Sequence, residues 1–180
     1  MKHGTVAQAV ANAREEAREE ASVYRQGEDR PLGGYLAVMA VFGALLAGAV
    51  GLAAAQGRRA SLAVTPWDVT LLAVGTHKLS RTLSKDAVTS PLRVPFTRYS
   101  QTGGPAEVME EVRGGHSARH AIGELLSCPF CLDAWIVTGF ALGLVFAPRT
   151  TRLIAGACTA LAGADVLQLC YSMLQQKSES

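Results

Sequence analysis

Residues Tyr35–Ala55, YLAVMAVFGALLAGAVGLAAA, form a run of 21 residues without one charge. An α-helix rises about 1.5 Å per residue, so the run covers the roughly 30 Å of bilayer hydrocarbon. Tyr35 stands at one end as an interface anchor, and Gln56, Arg58 and Arg59 close the other. A soluble domain would have to bury this run, yet its neighbours are equally apolar. Ala134 to Ala147 carries no charge, and Thr150 to Gln176 has Asp165 as its only deep one. The pattern predicts an all-α protein, a polytopic membrane helix bundle of about four spans. Gly43, Ala47 and Gly51, four apart, make a small-residue seam for another helix.

Composition sharpens the class. Apolar residues make up 49% of the chain but aromatics only 6%, which suits Gly- and Ala-rich helices packing closely in lipid. The net charge is +2, and the basic residues are spread through loops rather than gathered with aromatics, so no nucleic-acid platform is expected. Four cysteines in apolar settings do not make a secreted disulfide scaffold. The start, MKHGTV, lacks the apolar core of a signal peptide.

Two parts are expected, a charged helical arm with its linker over 1–34 and the bundle over 35–180. In the arm, Thr5 to Gln26 reads as a helix, with Val6, Val10, Ala13, Ala17 and Tyr24 on a narrow stripe. Such a helix docks a protein partner or a second copy, or is simply solvated. GEDRPLGG breaks it.

Pro66 to Lys85 reads as a half-polar helix started by Thr65 or Pro66, with Asp68 in its first turn. His77, Arg81 and Lys85 lie four apart on one face, which must turn to a polar interior or to headgroups. Ser90 to His120 reads as a loop hugging the interface, with one short helix at about Ala106 to Arg113. Spans three and four follow, from Cys128 and Thr150. If the N-terminus lies inside and four helices cross, thirteen Lys and Arg fall inside against four outside: Arg58, Arg59, Arg149 and Arg152. That imbalance predicts a multi-pass protein of the cell (inner) membrane with both termini cytoplasmic.

THKLSRTLSKDAVTSPLRVPFTRY, followed later by GELLSCPFCLDAW, resembles the small bacterial membrane proteins of domain-of-unknown-function family 1360. Their pattern has an R-x-x-x-x-D-like unit, a T-x-P-x-R-x-P-F segment and a G-x-x-x-x-C-x-x-C-x-x-x-W unit. Arg81 and Asp86, Thr89 to Phe96, and Gly123, Cys128, Cys131 and Trp135 stand at those places. The resemblance, over about Pro66 to Arg149, implies a membrane protein; the family includes a sporulation-associated member, and no activity carries over.

Three groups of residues are candidates for chemistry. Cys128–Pro129–Phe130–Cys131 has the spacing of a helix-opening redox pair, without the strand–helix alternation of the thioredoxin fold. With His116 and His120 the two thiols also make a four-ligand set for zinc. The plain alternative is two small residues packing a helix end under Trp135. His77, Arg81 and Asp165 are polar groups within the bundle, read as an ion pair or as a proton or ion path, with Asp165 expected against His77 or Arg81. Asp86, Arg93 and Arg98 order the loop or grip anionic lipid headgroups. The expected role is structural or interactive, in the lipid bilayer, with membrane thiol-redox or zinc binding as the alternative.

Overall fold

The computed structural model describes residues 3–28, 30–58, 64–115 and 118–179. Among them, α1 spans His3–Arg25, α2 Leu32–Ala55 and α3 Pro66–Lys85. A single 3-10 turn, Ala87–Thr89, leads into α4, Ser90–Arg93. Strands β1, Thr97–Thr102, and β2, Val108–Val112, follow, then α5, Ala118–Ser127, α6, Pro129–Phe146, and α7, Pro148–Glu179. The fold is all-α with one small hairpin.

Three of these helices, α2, α6 and α7, are long and apolar enough to cross a membrane. Their outward faces carry large apolar side chains in the open: Leu36 is 67% exposed, Leu153 73% and Leu167 72%. Water would oppose that display at about 25 cal/mol per Å² of apolar surface, whereas lipid tails would not. α3 is the fourth helix expected to cross. It misses the apolar composition of the other three because Asp68, Lys78, Arg81 and Lys85 interrupt it. It packs instead along both α6 and α7. Leu71, Phe140 and Ala155 form the buried centre, joined by Leu72, Leu79 and Ile136.

Named contacts fix the helix directions. Asp68 meets Arg152 and Lys78 meets Asp165, so α3 and α7 run parallel. Only Ala147 separates α6 from α7. They form a tight antiparallel hairpin in which a Cβ at Gly143 would lie 2.5 Å from Thr151 Oγ1. Phe42 meets Trp135 edge-on at 4.9 Å, and Arg58 reaches the Val145 and Phe146 carbonyls, so α2 runs with α6. The four long helices therefore alternate in direction, and the segment from Asp86 to Ser127 forms a cap at one end.

Two expectations fail here. The segment read as a short helix at about Ala106 to Arg113 holds strand β2. Val108, Glu110 and Val112 point inward and Met109 and Glu111 outward, a period of two with β-branched residues at both ends. It pairs antiparallel with β1, with Thr97 opposite Val112, Thr102 opposite Val108 and a bulge near Ser100. The small-residue seam on α2 is uncovered among the described residues: a Cβ at Gly43 or Gly51 would meet nothing within 4 Å.

Candidate functional site

The cap and bundle meet at a joint built from charged groups. Its centre is Arg93, fully buried at 0% exposure. Nε and Nη2 donate to the two Glu110 oxygens at 2.9 and 3.0 Å, a bidentate pair. Nη1 donates to the Leu83 carbonyl at 2.7 Å and Thr89 Oγ1 at 2.8 Å, and Nη2 also reaches the Asp86 carbonyl at 3.1 Å. All five guanidinium N–H groups thus have acceptors. Two of those acceptors are backbone carbonyls at the C-terminal end of α3, where a helix leaves such groups unpaired. Thr97 Oγ1 donates to Glu110 at 2.7 Å. Burial pushes the Glu110 carboxyl up, but the hydrogen bonds from Arg93 and Thr97 outweigh it and hold the group below its ordinary 4.5.

Of the loop candidates, Arg93 therefore orders the loop, with no surface left for a headgroup. Asp86 ends α3, takes an Arg93 hydrogen bond on its carbonyl and pairs by its backbone with Glu107 in an isolated antiparallel β-bridge. Arg98 is exposed on β1, opposite Glu111. Gly123 closes the joint: a Cβ there would sit 2.6 Å from Val112 Cγ1 and 3.0 Å from the Phe96 carbonyl. Thr89, Arg93, Phe96 and Gly123, by which the chain resembles its family, are thus one packing unit.

Within the bundle, Asp165 does face α3, but its partner is Lys78, at 2.7 Å, and neither His77 nor Arg81. Successive helix residues are about 100° apart, so a one-residue difference changes the face. Asp68, Leu71, Gly75 and Lys78 form the stripe toward α7, and Gly75 lies against Ala155. Arg81 turns out to the cap and pairs with Glu107, and His77 is exposed. A second pair went unread in the sequence. Asp68 closes a capping box with Thr65 and is gripped by Arg152 at 2.6 and 3.1 Å. A carboxylate in the first turn of α3 and an arginine in the first turns of α7 were its only sequence signal.

The cysteine pair sits where α5 breaks into α6. Cys128 is the N-cap of α6: its Sγ accepts from the Cys131 N–H at 3.3 Å, and Pro129 takes the first helical position. Both cysteines are free thiols, and Phe130 between them is 85% exposed. Beside them Glu124 gathers partners from three segments. Tyr35 donates its hydroxyl to the carboxylate, Arg30 lies 3.7 Å away, and His120 Nε2 3.6 Å. His120 Nδ1 lies 3.1 Å from the Arg113 carbonyl, which it meets as a donor. Both imidazole nitrogens thus face groups other than the thiols, and His116 lies outside the described residues. Among the described residues no three His, Cys, Asp or Glu side chains gather to hold a metal. Glu124 carried no sequence signal beyond type and Tyr35 read only as an interface anchor, because only the fold brings them together.

An apolar helix bundle, with its few internal charges paired and a polar cap at one end, is the architecture of a small membrane protein. A family model described as "protein of unknown function (DUF1360)" matches residues 71–171, more than half of the chain, and the protein belongs to that family. No curated protein and no solved structure matches it.

Proposed function

We propose that this is a multi-pass protein of the cell (inner) membrane, crossed by α2, α3, α6 and α7, with both termini and the cap cytoplasmic. Its role is structural or interactive: the bundle holds the cap rigidly at the membrane surface, where it and the arm present docking surfaces. The observation that carries this is the joint around Arg93. A fully buried arginine with every donor satisfied costs side-chain entropy and desolvation, which makes sense where a cap must keep one fixed pose on its helices. α3 can cross because its charges turn toward partners, Asp68 to Arg152 and Lys78 to Asp165. The arm supports a partner-facing role: Val6, Val10, Val23 and Tyr24 of α1 are all exposed. It suits a protein partner or self-association, and exposed Arg98 suits anionic headgroups. Reporter fusions after Gly57, Gly103, Arg149 and Ser180 test the crossing. Gly103 and Ser180 are expected inside, Gly57 and Arg149 outside, and a Gly103 fusion reporting the outside overturns the arrangement.

A second reading, a membrane thiol-redox or zinc protein, is favoured by one observation, the Cys128 sulfur capping α6. Zinc would take Cys128 and Cys131, and His120 would have to leave Glu124 and the Arg113 carbonyl to join them. Metal analysis of the purified protein beside Cys128→Ser/Cys131→Ser separates the two. Stoichiometric zinc lost in the variant supports the metal site, and a reversible disulfide without metal supports redox.

A further inference from the structure

We propose that α1 pairs in parallel with α1 of a second copy of this chain, through the stripe of Val6, Val10, Ala13, Ala17 and Tyr24. The inference rests on the reading of the arm as a docking element, and assigns its partner and its direction.

The stripe is open. Every residue from 6 to 20 is exposed, and beyond them Tyr24 is 71% exposed. α1 is charged where α2, α6 and α7 are apolar, so lipid tails do not cover it.

Charge names the occupant. Arg14 and Arg18 each stand one residue beyond an alanine of the stripe. At 3.6 residues per turn they lie about 100° to one side of it. Glu16 and Glu20 each stand three residues beyond the same alanines, which puts them about 60° to the other side. The stripe thus has a basic border and an acidic border. Among the described residues Arg14, Glu16 and Glu20 form no ion pair, and Arg18 reaches only the exposed Glu15, at 4.0 Å. A two-fold axis along the helices sets the basic border of one copy against the acidic border of the other, on both sides of the seam. An antiparallel pair sets like against like, which is destabilising. An anionic membrane surface would meet the acidic border as well as the basic one. Parallel is also the direction two copies share when one bilayer holds both the same way up. The Ala-rich seam is weak between free helices. Arms tethered to one membrane through α2 meet at a high effective concentration, which offsets that weakness.

The full chain in vesicles of phosphatidylethanolamine and phosphatidylglycerol tests this, with energy transfer between donor- and acceptor-labelled N-termini as the readout. Wild type should transfer. Arg14→Glu/Arg18→Glu should weaken association on the order of tenfold, because like charges then face each other on both sides. Adding Glu16→Arg/Glu20→Arg should restore it, which separates charge pairing from loss of the helix. Direction is read by disulfide cross-linking with Cys128, Cys131, Cys158 and Cys170 replaced by Ser. Val6→Cys and Tyr24→Cys should each cross-link to their own kind, and Ser22→Cys, on the opposite face, should not. Cross-links that form only between Val6→Cys and Tyr24→Cys copies overturn the parallel direction. Wild type without transfer, or transfer unmoved by the charge reversal, overturns the self-pairing. If the reporter fusions then still place both termini inside, the proposed role stands and the arm docks a different protein.

Discussion

Arg93 brings five donors to five acceptors inside the protein, so its removal strands several groups at once. Arg93→Met leaves the Glu110 carboxylate buried and the Leu83 and Asp86 carbonyls short of a donor. Breaking a buried pair in this way costs about 3–5 kcal/mol. A second change, Glu110→Leu, should recover only part of it, because the carbonyls remain unpaired. The same pair predicts an acid limb. Glu110 has its carboxyl held below 4.5 in the folded state, so the folded protein favours the ionised form. Its contribution is complete above pH 4.5 and is lost as pH falls through the lower, folded value. Detergent-solubilised wild type should therefore lose stability below pH 4.5, and Arg93→Met should show a smaller acid-dependent loss. Thermal unfolding across pH 3–7 reads both; an unchanged acid limb in the variant would place the titrating group elsewhere.

At the scale of elements, α3 decides the bundle. Its apolar and small residues, Leu71 and Gly75, meet α6 and α7, and Lys78 reaches Asp165 across the packed face. Asp165→Leu alone should destabilise the bundle by stranding Lys78, and Lys78→Leu should recover part of the loss. In detergent the cycle should give a coupling of about 0.5–3 kcal/mol between Asp165 and Lys78, and none between Asp165 and His77 or Arg81. Additive effects for Lys78 would mean the pair contributes nothing. The hairpin teaches a related lesson. PAEVMEEVRG has helix formers enough to suggest a turn of helix, but β1 offers backbone partners and Arg93 offers Glu110 a place inside. Tertiary pairing overrides propensity in so short a segment.

At the scale of the molecule, the outward apolar faces of α2, α6 and α7 and the inward charges of α3 divide the surface into an apolar belt and a polar end. The cap lies at the end where α3 and α7 finish and α2 and α6 begin. The charged pair Asp68–Arg152 and the reach of Arg58 to the end of α6 mark the opposite end. Both ends are thus tied by arginines acting on carboxylates or on open helix termini.

The sequence by itself determined the class, the long helices and the family. Uncharged runs of helix length, small residues and the T-x-P-x-R-x-P-F and C-x-x-C units need no partner to be read, because hydropathy and spacing are properties of adjacent residues. It also placed Asp165 toward α3 by depth alone. Only the tertiary structure decided which residue of that helix it meets, that Val108–Val112 is a strand, and that Arg93 is sealed from headgroups. It alone assembled Glu124 with Arg30, Tyr35 and His120 beside the cysteines. Those outcomes depend on helix rotation and on pairing between residues up to 94 apart in the chain, from Arg30 to Glu124, which no local pattern specifies.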